Sequence, residues 1–101
     1  MNQISEAAPV RDIIYLSTPK FASRDAILRD VCERYGVQLA DVKGKSRVPR
    51  FVLPRHEACY RLKYEAGLSY GRIGQILGGR DHSTIIHGAK KHAQRNGLEA
   101  T

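Results

Sequence analysis

Residues 78–91 read Gly-Gly-Arg-Asp-His-Ser-Thr-Ile-Ile-His-Gly-Ala-Lys-Lys, and the side chains in this stretch are suited to hydrogen bonding with a polyanion. Asp81 is positioned to cap a helix, its carboxylate accepting from the free amides of the first turn. His82, Ser83 and Thr84 follow as short polar groups, and Lys90 and Lys91 come two turns later. Ile85, Ile86, Ala89 and Ala93 recur at helical spacing as an apolar face. Asp81, Thr84, Gly88 and Lys91 make the opposite face, which carries no bulk. Such a face suits a DNA major groove, because short groups can reach base edges and lysines can reach phosphates.

The elements that would position this face come from the residues before it. Gly78 and Gly79 end one helical segment, since glycine enters the left-handed backbone region cheaply. That segment runs through Tyr70, Ile73, Ile76 and Leu77, with Ser69 as its cap. Helix, glycine turn, helix is the pattern of a helix-turn-helix whose second helix reads DNA. On this segment alone, two ordinary core helices joined by a tight turn remain an equal reading.

Further upstream, Ser23 to Gly36 is a helix with Ile27, Leu28, Val31, Cys32 and Tyr35 inward and charges outward. Val37 to Val42 reads as a very short helix with Leu39 and Val42 facing in. Arg50 to Ala66 is the long central helix, with Pro54 in or near its first turn, where a missing amide is harmless. Arg55, Arg61 and Lys63 are expected to project outward toward phosphates. Asn96-Gly97 is a plausible end for the last helix. Residues 1–20 are read as an arm or linker, 21–96 as the helix-turn-helix domain and 97–101 as a tail. Ile13-Ile14-Tyr15-Leu16 could be either a helical turn or a strand-like arm.

Between the short and the long helix, Lys43, Lys45, Arg47 and Arg50 fall within eight positions, with Gly44 and Pro49 preventing regular structure. A basic loop of this kind can follow a phosphate backbone or place an arginine in a minor groove. Arg80, just ahead of Asp81, is a further candidate for a phosphate contact. Gly44-Lys45-Ser46 is not the end of a nucleotide-binding phosphate loop. That motif needs a glycine five residues earlier, where this chain has Leu39.

The net charge of +7 is unevenly spread. Residues 1–42 hold five Lys/Arg against six Asp/Glu, net −1, whereas residues 43–101 hold twelve against four, net +8. The excess positive charge therefore lies with the candidate reading unit, which suggests a polyanionic partner. A membrane surface would call for a basic amphipathic helix with bulky apolar anchors, and there is no Trp. No apolar run approaches the roughly 20 residues of a membrane span. Met1 to Val10 lacks the layout of a secretory signal, so a cytoplasmic, nucleoid-associated location is expected. Cys32 and Cys59 read as small core residues with reduced thiols. His82, His87 and His92 are five apart, which scatters them around a helix where a zinc pair needs four. No catalytic set is suggested, and neither enzymatic activity nor a cofactor is expected.

The stretch Gly-Gly-Arg-Asp-His-Ser-Thr-Ile-Ile-His closely resembles the signature of the C-terminal DNA-binding domain (domain IV) of the bacterial chromosomal replication initiator DnaA. The resemblance continues through Asp41-Val42-Lys43-Gly44-Lys45-Ser46-Arg47, Leu53-Pro54-Arg55 and Ser69 to Leu77, covering roughly Phe21 to Lys91. It implies an all-α fold, a small Trp-repressor-like bundle containing a helix-turn-helix. It implies that Arg47 enters the minor groove, that Asp81, His82, Ser83 and Thr84 read the major groove, and that Gly88 meets a thymine methyl. Lys45, Arg55, Lys63, Tyr70 and Gly71 would lie against the DNA backbone. Asp81 could accept from a cytosine amino group, in keeping with its chemistry.

The chain departs from the family pattern at three positions. Ser83 stands where Thr is usual, Gly88 where Ala is usual and Gly71 where Pro is common, so a related and more relaxed sequence preference is expected. No ATPase domain is present, which leaves an initiator fragment or a free-standing relative, and Met1 with its acidic start favours a complete short protein. The expected function is sequence-specific binding of double-stranded DNA as a monomer on an asymmetric site, acting on replication initiation or transcription. Two other classes stand beside it: a nonspecific nucleic-acid binder, and a protein-interaction module whose helix-turn-helix is vestigial.

Overall fold

The computed structural model describes residues 22–98, which form five helices: α1 (Arg24–Tyr35), α2 (Leu39–Lys43), α3 (Pro49–Tyr64), α4 (Tyr70–Ile76) and α5 (His82–Asn96). There is no strand among the described residues. This is the expected small all-α bundle. The arm expected at residues 1–20 and the last three residues of the tail lie outside the described residues.

The helix boundaries follow from local chemistry. Ser23 Oγ accepts from the Ala26 amide at 3.1 Å and starts α1. Ser69 Oγ accepts from the Arg72 amide at 3.1 Å and starts α4. Asp81 Oδ2 accepts from the Ser83 amide at 2.9 Å and starts α5. Each cap satisfies one of the orphan donors of a first turn. Gly97 closes α5 in the left-handed region, at φ 66°.

α3 is the central element, with α1, α2, α4 and α5 all packed against it and α4 also packed on α5. The core joins Ile27 and Val31 of α1, Val42 of α2, Leu62 of α3, Ile73 of α4 and Ile85 of α5, all essentially inaccessible to solvent. Burying a side chain of this size stabilises the fold by about 1.5–3 kcal/mol.

Three sequence expectations are corrected here. Leu39 was expected to face inward but is 39% exposed, while Val42 is fully buried. A five-residue helix turns only one such side chain into the core. α3 starts at Pro49, not Arg50, because Pro49 takes the first helical position, where its missing amide costs nothing. Pro54 therefore lies in the second turn, inside the helix, with its ring fully buried. Arg61 was expected to point toward phosphates. It is instead tied to acidic groups, with Nη1 donating to Asp30 at 2.6 Å and Glu57 at 3.2 Å, and Nε to Glu65 at 3.0 Å. Glu57, itself buried, also pairs with Arg34 and accepts from the Tyr35 hydroxyl at 2.8 Å.

The turn between α4 and α5 is set by glycines. Gly78 and Gly79 both have positive φ, 89° and 79°. The Gly79 and Arg80 amides both donate to the Gly74 carbonyl, at 2.9 and 2.8 Å. That return brings the Arg80 carbonyl so close that a Cβ on residue 74 would lie 2.1 Å from its oxygen. Glycine at 74 is thus a condition for this turn, although it sits in a helix interior, where glycine is costly.

Candidate nucleic-acid interface

The first turn of α5 presents Asp81, His82, Ser83 and Thr84, all exposed. The Ser83 backbone amide, and then its hydroxyl, hold the Asp81 carboxyl below its ordinary value, so it is a carboxylate at neutral pH. One oxygen caps the helix, and the other, Oδ1, lies 3.8 Å from His82 Nδ1. The helix start therefore offers a carboxylate oxygen, an imidazole and two hydroxyls on one exposed turn. These are the donor and acceptor types that base edges pair with.

The segment from α2 to α3 carries Lys43, Lys45, Arg47 and Arg50, all exposed. Ser46 Oγ accepts from the Val48 amide at 3.3 Å and bends the loop. The Arg50 guanidinium lies 5.6 Å over the Phe51 ring. Lys45 and Arg47 from this loop share one cleft of about 660 Å3 with Arg80, Thr84 and His87. The structure thus brings together two stretches that sequence could only treat separately. Lys63, in the last turn of α3, lies beside Tyr70 and Gly71 at the start of α4, apart from this cleft. There the Lys63 ammonium lies 4.6 Å over the Tyr70 ring, and the Tyr70 hydroxyl is 3.4 Å from that of Tyr64. Gly71 is exposed. Lys90 and Lys91 are exposed on α5, beyond the cleft.

Three candidate contact residues are placed differently from expectation. Arg55 does not project outward and is only 7% exposed. Its Nε donates to the Val42 carbonyl at 2.8 Å, Nη1 to the Ser46 carbonyl at 2.9 Å and Nη2 to the Asp41 carbonyl at 3.1 Å. Burial, and then the Arg80 charge, lower its pKa from the ordinary arginine value. Arg80 is also turned onto the protein. Its Nη1 donates to the Lys43 carbonyl at 3.0 Å and to that of Leu77, and its Nη2 donates to the Gly44 carbonyl. Gly88 is buried at the crossing of α5 over α3, where a Cβ would lie 3.1 Å from His56 Cδ2 and 3.2 Å from Cys59 Sγ. The inner stripe of α5 is Ile85, Gly88, Ala89, His92 and Ala93. Gly88 therefore belongs to the packed face, and Ile86, assigned to that face from sequence, is only half-buried.

His56 carries no signal in the sequence, because its partner is 39 positions away. Arg95 Nη2 lies 2.9 Å from His56 Nδ1. Arginine can only donate, so Nδ1 accepts and the neutral ring carries its proton on Nε2. Burial, and then the Arg95 charge, lower the His56 pKa to about 4. The ring also lines the cleft, as does Cys59, whose thiol is pushed up to about 12 by burial and is unreactive at neutral pH. His92 is buried, 5.2 Å from the Tyr60 ring. Among the described residues no group of His, Cys, Asp and Glu side chains could hold a metal, and no helix is long and apolar enough to cross a membrane.

With this geometry established, comparison with known proteins identifies relatives. The family described as the bacterial DnaA protein helix-turn-helix matches residues 24–91. The chromosomal replication initiator protein DnaA of Roseiflexus castenholzii is 38% identical over 93 residues, 92% of this chain and 19% of the relative. That of Thermomicrobium roseum is 48% identical over 67 residues, 66% of this chain and 14% of the relative. That of Oenococcus oeni is 34% identical over 90 residues, 89% of this chain and 20% of the relative. The chain spans about a fifth or less of the length of these curated relatives.

Proposed function

The chain belongs to the bacterial DnaA helix-turn-helix family, and on that premise we propose that it binds double-stranded DNA sequence-specifically at DnaA-box-like sites. The first turn of α5 enters a major groove, where Asp81, His82, Ser83 and Thr84 meet base edges. Arg47 enters the adjacent minor groove, whose narrow walls concentrate negative potential. Lys43, Lys45, Arg50, Lys63, Lys90 and Lys91, with Tyr70 and Gly71, lie toward the phosphates. The protein acts as a monomer on an asymmetric site and changes no covalent bond. Its biological setting is replication initiation, or transcription from promoters that carry such sites.

The observation that carries this reading is the shared cleft. Arg47 and Thr84 lie 37 positions apart in sequence and line one surface feature. A helix-turn-helix alone would explain the reading helix but not why a basic loop should stand beside it. A protein-interaction module would need neither the loop nor the net charge of +8 over residues 43–101.

The test is an NMR titration of the 15N-labelled protein with a duplex carrying a DnaA box. The largest amide shifts are expected at residues 43–48 and 81–87, with residues 28–37 of the α1 side little changed. Shifts spread evenly over the basic surface would support a nonspecific binder. No shifts at moderate salt would support the protein-interaction class.

A further inference from the structure

Arg55 of α3 and Arg80 of the α4–α5 turn reach the same short piece of backbone from two elements. Between them they donate to the carbonyls of Asp41, Val42, Lys43, Gly44 and Ser46. These five carbonyls are the root of the loop whose next residue is Arg47. The chain itself makes few other bonds here: the Gly44 amide donates to Asp41 at 3.3 Å, and Val48 to Ser46 Oγ. Gly78 closes the same contact, since a Cβ there would lie 2.5 Å from the Lys43 carbonyl oxygen.

We infer that Arg55 and Arg80 are positioning residues that clamp the loop root and so aim Arg47 and Lys45 at DNA, rather than ligands of phosphate. This rests on the proposed role of Arg47. The clamp requires guanidinium geometry. A planar fork can serve three separate carbonyls at once, whereas a lysine ammonium on the same stem is a single compact charge. The two guanidiniums, Arg55 buried and Arg80 half-buried, repel one another, and each is met by carbonyl dipoles.

The experiment compares the native protein with Arg55→Lys, Arg55→Gln, Arg80→Lys and Arg80→Gln, binding a DnaA-box duplex. The set is then repeated in a Lys45→Ala/Arg47→Ala background. The Lys variants are expected to bind about tenfold or more weakly, close to the Gln variants, because charge without the fork does not rescue. In the loop-neutral background each is expected to cost less than about twofold, since residues acting through one another are not additive. A Lys variant that binds like the native protein, or a cost undiminished in the second background, overturns the clamp in favour of direct phosphate contact.

A second readout needs no DNA. Backbone order parameters at residues 44–48 are expected to fall from about 0.85 toward 0.6 in the Lys variants, with α1 and α5 unchanged. Unchanged loop order overturns the clamp even where binding is lost. If the native protein ignores the box, the proposed function fails, while loop order still decides the clamp. Arg80 lies nearer the surface, so its variants remain informative if those of Arg55 do not fold.

Discussion

Arg80 Nη1 donates to the carbonyl of Lys43 at 3.0 Å, joining the turn of the helix-turn-helix to the last residue of α2 across 37 positions of sequence. Gly78 sits against the same carbonyl. The loop that carries Arg47 and the helix that starts at Asp81 are therefore anchored to one another before any DNA arrives. A rigid pair of this kind reduces the ordering cost of binding.

Arg55→Gln should destabilise the fold by about 1–3 kcal/mol, the usual cost of leaving buried polar groups without their partner. Urea unfolding followed by circular dichroism measures it. Arg50→Gln, the same substitution at an exposed position, should change stability by less than about 0.5 kcal/mol.

The arginines also show what the sequence could and could not reveal. Ser23, Ser69 and Asp81 were legible as caps because a cap is a local event, decided within three residues. The glycine turn and the basic loop were legible for the same reason. Arg55 and Arg61 were misread as outward-facing, and Arg80, named only as a candidate phosphate contact, gave no sign of turning onto the protein, because a charge does not announce what lies across from it. Their partners are carbonyls up to 37 positions away and, for Arg61, a carboxylate 31 positions away. Gly88 was misread because glycine and His92 add little hydropathy to a stripe they help to bury. Gly74 was not singled out, because its constraint comes from a turn that folds back over it.

Gly74→Ala should distort the turn and cost about 1–3 kcal/mol or more, since backbone and not a flexible side chain stands 2.1 Å from the added methyl. Gly71→Ala is the control in the same helix, with nothing within 4 Å of its added methyl. It should stabilise the protein by about 0.5–1 kcal/mol through helix propensity. Thermal unfolding of the two variants separates these outcomes.

Gly88→Ala should leave DNA preference unchanged within about twofold, because the methyl would point at His56 and Cys59. Its stability should stay within about 1 kcal/mol of native, helix propensity offsetting the tight contacts. A gain in box affinity would instead restore the thymine-methyl contact expected from sequence.

Stability should fall as pH drops from about 6.5 toward 4. His56 has its pKa lowered from 6.5 to about 4 in the fold, chiefly by burial and next by Arg95, so the unfolded chain binds more protons throughout that window. His92 is lowered too, by burial, and acts in the same direction. Well above pH 6.5 both rings are neutral in either state and the dependence fades. His56→Gln should flatten the fall in melting temperature between pH 6.5 and 4.

The proposed function requires that this face distinguish one DNA sequence from another. The direct measurement is fluorescence anisotropy with a labelled DnaA-box duplex, competed by unlabelled box and by its scramble at about 150 mM salt, where nonspecific phosphate binding is weakened. The box should compete about tenfold or more better than the scramble, and Asp81→Asn, which keeps a capping side chain, and Arg47→Ala should each erase most of that ratio. Equal competition by box and scramble in the native protein would contradict the proposed function.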